Sequence, residues 1–144
     1  MAILPFYFLN SLVMRRTSDF SAQRAIFKEA HAAGMASMKA CSPTPMVVGS
    51  PSTPLGNDVD PTKPTYFIEG GVCGFASVIF SGRGKFAKFM KDNKLARKHY
   101  YGGYSYWVSE GGQSLQRKEA YARAFARVLN EHGIKGVYVD SRMD

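Results

Sequence analysis

The chain has 144 residues, 45% of them hydrophobic and 21% charged, and its 19 basic and 11 acidic residues give a formal net charge of +8. That length supports one hydrophobic core rather than two, and the composition excludes a disordered or collagen-like chain. The positive balance favours polyanionic partners: nucleic acid, nucleotides or anionic surfaces.

The chain opens on "MAILPFYFLNSLV", an apolar run with Arg15 and Arg16 behind it rather than in front. A secretory signal has the opposite polarity, and a run this short, interrupted by Pro5 and Asn10, does not span a bilayer, so no membrane partner is expected. Two readings stay open for residues 1–13: an apolar arm packed on the domain, or an upstream extension with Met14 as the natural start. The ordinary soluble character of the following residues favours the second, and residues 14–144 read as a single domain. Ser18 and Asp19 precede "FSAQRAIFKEAHAAGMASMKA", which has helical composition. Ala22, Ile26, Ala30, Ala33 and Met38 form its small-residue face, suited to close packing. His31 on this helix reads as a packed or solvated histidine, and "SPTP" at residues 42–45 ends the helix. "MVVG" is a short strand, and residues 50–65, with four prolines, form a long surface loop.

The second half is more regular. "GVCGFASVIF" over residues 71–80 predicts a strand whose alternate positions are Val72, Gly74, Ala76, Val78 and Phe80 on one face and Cys73, Phe75, Ser77 and Ile79 on the other. Both sets are largely apolar, which predicts a central strand covered on both sides, with Cys73 as a small buried hydrophobe. "KFAKFMKDNK" predicts an amphipathic helix with Phe86, Phe89 and Met90 inward. Its basic side carries Lys85, Lys88, Lys91 and Lys94. "YYGGYSYWV" then brings Tyr100, Tyr101, Tyr104, Tyr106 and Trp107 close to that basic stretch, with a strand over residues 104–109. Lys88, Lys91, Lys94, Tyr100 and Tyr101 together have the composition of a surface for single-stranded nucleic acid, where aromatic rings stack on bases. Cross-strand packing of the same aromatics is the competing account. "GVCGFASV" has the aromatic character of an RNP1 strand but lacks its leading basic residue and following glycine, so an RRM is not inferred.

"SLQRKEAYARAFARVLNEHG" over residues 114–133 is a helix with Tyr121, Phe125, Val128 and Leu129 inward, Gly133 ending it, and His132 packed or capping near that end. "KGVYVD" is the last strand, with "SRMD" as a tail. Strands alternating with helices predict a small α/β or α+β sheet of about four strands, built from parallel βαβ units with helices on one or both faces.

In a parallel sheet, the loops "SGRGK" (residues 81–85) and "SEGGQS" (residues 109–114) leave neighbouring strands on one edge, where open sheets bind ligands. Asp140 and Arg142, at the end of the last strand, join them there. The expected phosphate-binding set is therefore Arg83, Gly84, Lys85, Gly112, Ser114, Arg117, Lys118, Asp140 and Arg142, combining glycine backbone, helix N-termini and formal charge. "GRGK" is not a Walker A loop, since Phe86 stands where Ser or Thr belongs, and there is no GxGxxG. The two cysteines form no CxxC pair and the three histidines have no metal spacing, so no metal or cofactor is implied.

From about residue 20 onward the chain resembles a set of small proteins encoded by tailed bacteriophages and prophages, through "CSPTPMVVG", "GVCGFASV", "QSLQRKEAYARAFARVLNEHGI" and "SRMD". No activity comes with the resemblance; it implies a viral protein in the host cytoplasm. The expected function is that of a non-enzymatic accessory protein binding nucleic acid or a phosphate-bearing small molecule. The alternatives are a virion structural or assembly protein, and a small enzyme using Cys73 or Asp140, for which no triad or paired-carboxylate spacing is present.

Overall fold

A computed structural model describes residues 19–144; the expectations for residues 1–13, Met14 and Ser18 lie outside them. The elements are helix α1 (Ser21–Ala40), strands β1 (Met46–Gly49), β2 (Thr65–Ile68) and β3 (Gly74–Phe80), helix α2 (Lys85–Asp92), strands β4 (Arg97–Lys98) and β5 (Tyr104–Trp107), helix α3 (Leu115–Glu131) and strand β6 (Tyr138–Met143). The predicted class holds: the domain is mixed α and β, with helices packed on a four-stranded sheet of order β4-β5-β3-β6. β1 and β2 form a separate hairpin. The proline-rich loop is the hairpin's connection, closed by a bridge between Pro51 and Val59.

The parallel pairing is corrected. β3 pairs antiparallel with both β5 and β6, and β4 pairs antiparallel with β5. β5 and β6 therefore run in the same direction with β3 inserted between them, so β5–α3–β6 is a split βαβ unit. The run β3–α2–β4–β5–α3–β6 is a β-α-β-β-α-β arrangement of the ferredoxin-like kind. Helix–strand alternation alone does not distinguish this from a doubly wound sheet, because an inserted central strand leaves the order of elements unchanged.

The three helices among the described residues contribute to one core on one face of the sheet. Ala76, Val78, Phe80, Tyr106 and Val108 point toward it from the strands, and Phe86, Phe89 and Met90 from α2. From α3 come Tyr121, Phe125, Val128 and Leu129, all buried as predicted. The small-residue face of α1 allows close contact with α3: a Cβ on Gly34 would lie 2.7 Å from the Tyr121 ring. Phe27 of α1 lies edge-on to Tyr106 and Phe125, with ring centroids 5.7 and 5.9 Å away. His31 and Tyr121 share a hydrogen bond of 2.6 Å, and Tyr121 shares another of 3.1 Å with Tyr106. Burial raises the pKa of both tyrosines above the usual phenol value, since an ionised phenolate loses its hydration there. His132 pairs with Glu29 at 2.7 Å, joining the far end of α3 to α1.

Candidate functional site

Antiparallel pairing separates the two glycine loops. β3 ends where β5 begins, with Phe80 opposite Tyr104, whereas Ser77 lies opposite Trp107 at the end of β5. Residues 81–85 and 109–114 therefore sit at opposite ends of the sheet, and the convergent anion site does not form. Arg83, Gly84 and Lys85 lie at one end, and Gly112, Ser114, Arg117 and Lys118 at the other.

The second loop is occupied with internal hydrogen bonds. Ser114 caps α3 by accepting from the Arg117 N–H, and its hydroxyl donates to the Gly70 carbonyl at 2.6 Å. The Leu115 N–H donates to Val72 O, and the Gly74 N–H to Gln113 O. These donors, which an anion would use, tie the start of α3 to the start of β3. Lys118 points inward and is 5% exposed, but its Nζ donates to the Val108 carbonyl at 3.1 Å. A backbone acceptor thus takes the place expected of a bound phosphate. Cys73 is half-buried just before β3, with Sγ 3.7 Å from Gln113 Oε1, and is not the buried hydrophobe predicted.

The last strand continues through "SRM" and ends at Met143, so Arg142 is, like Asp140, a strand residue rather than part of a tail beyond the sheet. Both lie on the outer face, opposite the helices. Alternation puts Phe75, Ser77 and Ile79 of β3, Ser105 and Trp107 of β5, Arg97 of β4, and Tyr138, Asp140 and Arg142 of β6 on that face. None of these belongs to the helix-covered core, so of the two expected arrangements the described helices take the one with cover on a single face. The centre is closed, with Ile79 and Ser77 buried, while Trp107 at the margin is 50% exposed.

This face joins aromatic rings to charge. The Phe75 and Trp107 rings lie 5.2 Å apart, and the Arg142 guanidinium sits 5.4 Å above the Phe75 ring. A shallow depression of about 200 Å3, lined in part by Phe75, Trp107, His99, Asp140 and Arg142, runs beside them. That volume falls below the roughly 300 Å3 at which cavities begin to enclose drug-sized ligands, and it suits one planar ring. Lys94 and Arg97 line a second depression against Trp107. At the β4–β5 turn, Tyr100 and Tyr101 are 90% and 86% exposed, and the Tyr101 ring lies 6.0 Å from His99. Of the predicted nucleic-acid surface, Lys94, Tyr100 and Tyr101 border this face. Lys88 and Lys91 lie on the exposed side of α2, whose Phe86, Phe89 and Met90 face the core.

Sequence reasoning missed Phe75, Trp107, Arg97 and His99 as a group. The available signal was the recurrence of polar residues on one strand parity, at Ser77, Ser105, Asp140 and Arg142. A groove between α3 and β6 is lined by Arg123 and Arg127, but both arginines are held in ion pairs, with Glu119 and Glu131. Among the described residues no helix is long and apolar enough to cross a membrane, and no cluster of His, Cys, Asp or Glu has the form of a metal site. No family model, curated protein or solved structure matches the chain.

Proposed function

We propose that the protein binds single-stranded nucleic acid on the outer face of its four-stranded sheet, without catalysis. The carrying observation is the Phe75–Trp107 pair on adjacent central strands, half open to solvent and flanked by Arg142, Arg97 and Lys94. Four-stranded sheets that bind RNA use aromatic rings on such strands to stack two or three bases. Stacking accepts any base, and the surrounding cations meet the backbone phosphates. Tyr100 and Tyr101 extend the aromatic track at one edge. The role accords with a net charge of +8 and with a phage or prophage accessory protein acting in the host cytoplasm.

The test is fluorescence anisotropy of a labelled oligothymidylate nine-mer titrated with the protein across a salt series. Affinity falls steeply with salt, and Trp107→Ala weakens binding about tenfold or more, as loss of one stacked base requires. Absence of binding at low salt, or unchanged affinity in Trp107→Ala, refutes the proposal.

One observation favours a second reading as an assembly protein. The β1–β2 hairpin exposes Val47, Val48, Tyr66 and Phe67. Sedimentation of the full chain as a concentration-dependent oligomer that Phe67→Ser disperses supports this reading; a monomer at all concentrations removes it.

A further inference from the structure

The outer face carries one feature that phosphate binding does not explain. Asp140 is an exposed carboxylate at the centre of β6, in the row Asp140–Ser77–Trp107 across three adjacent strands. It lines the same depression as Phe75, Trp107 and Arg142. The ion pairs among the described residues are Lys63–Asp60, Arg123–Glu119, Arg127–Glu131 and His132–Glu29, and Asp140 takes part in none of them. A carboxylate beside a polyanion repels its phosphates. It favours binding only by accepting hydrogen bonds from a base, because ionised Asp is acceptor-only.

Resting on the base-stacking reading above, we infer that Asp140 is a specificity-determining residue that selects guanine at the position stacked beside Phe75 and Trp107. The strand spacing of about 4.8 Å puts Asp140 two strands from Trp107, so the edge of a ring stacked there points across Ser77 toward the carboxylate. Two carboxylate oxygens accept a pair of adjacent donors. Guanine alone among the common bases presents two neighbouring donors, N1–H and the N2 amino group, on its Watson–Crick edge. Adenine and cytosine offer one amino group beside a ring acceptor, which faces the carboxylate unfavourably. Thymine and uracil offer one N–H between two carbonyls. Single-stranded recognition leaves this edge free to be read.

The experiment compares four labelled oligothymidylate nine-mers carrying dG, dA, dC or dT at the centre, by anisotropy, with the intact protein and its Asp140→Ala and Asp140→Asn variants. The intact protein binds the dG oligonucleotide about tenfold more tightly than the other three, the scale of one bidentate base contact. In Asp140→Ala the four affinities converge, while binding of the dT oligonucleotide is retained or tightened because a repelling charge is gone. Asp140→Asn, which presents one acceptor and one donor, also loses the dG preference. Equal affinities in the intact protein, a preference for another base, or a dG preference that survives in Asp140→Ala overturns the inference while leaving stacking intact. Failure of all four oligonucleotides to bind at low salt refutes the stacking reading and this inference with it.

Discussion

The two faces of the four-stranded sheet are built from the same strands and differ in almost every physical respect. The inner face holds Ala76, Val78, Phe80, Tyr106 and Val108 against the three described helices, with ring contacts at 4.7 Å between Tyr106 and Phe125. The outer face holds Phe75 and Trp107 with Arg97, Asp140 and Arg142, and no described helix packs on it. A period of two thus lets neighbouring residues serve different ends: Tyr106 holds the core together, and Trp107, one residue on, faces outward. Substitutions on the inner face are expected to change stability, and those on the outer face to change binding.

The largest effect is expected at the centre of the inner face. Phe125→Ala removes a fully buried ring stacked on Tyr106 and Tyr121 and lowers stability by about 3–5 kcal/mol in chemical denaturation. Gly34→Ala comes next. Alanine is the better helix former by about 1 kcal/mol, yet the new methyl meets the buried Tyr121 ring at 2.7 Å. Overpacking of about 1–3 kcal/mol outweighs the propensity gain, so the midpoint of thermal unfolding falls; a rise would show that α1 and α3 are less closely apposed than described.

A smaller, pH-dependent effect follows from Tyr106 and Tyr121. Burial raises their folded pKa values above the unfolded value of about 10. The folded state then keeps protons that the unfolded state releases, so this contribution is complete below pH 10 and declines as pH rises above it. Denaturation midpoints at pH 8 and pH 11 check this, and Tyr121→Phe makes the alkaline decline shallower. The smallest stability effects are expected on the outer face. Trp107→Ala loses its pairing with Phe75, worth about 0.5–1.5 kcal/mol, and Arg142→Ala loses about 0.5–1 kcal/mol of cation–π attraction.

Much of the inner face was legible in the sequence. The period of Tyr121, Phe125, Val128 and Leu129 identified the buried side of α3, and the alternation through residues 72–80 identified the face of β3. The two helices starting near Lys85 and Ser114 were likewise plain from composition and periodicity. Strand direction was not legible, because no local pattern records which neighbour a strand pairs with. That gap produced the expectation of a convergent site at Arg83, Lys85, Arg117 and Lys118. β2 and the two-residue β4 also went unread, being too short and too polar at their flanks for a period to emerge. Lys118 continues the inward stripe of α3 at its N-terminal end, but its backbone partner Val108 is set by tertiary packing. The outer face escaped notice because Phe75, Trp107 and Asp140 belong to three strands far apart in sequence, and no consecutive motif joins them.

The chain contains a single tryptophan, Trp107, so tryptophan emission, excited selectively over the tyrosines, reports on the outer face. Titration with unlabelled oligothymidylate at low salt, followed by tryptophan fluorescence beside an independent binding measurement, tests the central claim directly. The account predicts quenching that follows the binding curve, is reversed by added salt, and persists when Lys88 and Lys91 are changed to Glu. Full binding with unchanged Trp107 emission would contradict it, placing the nucleic acid on the lysine side of α2 instead of on the sheet.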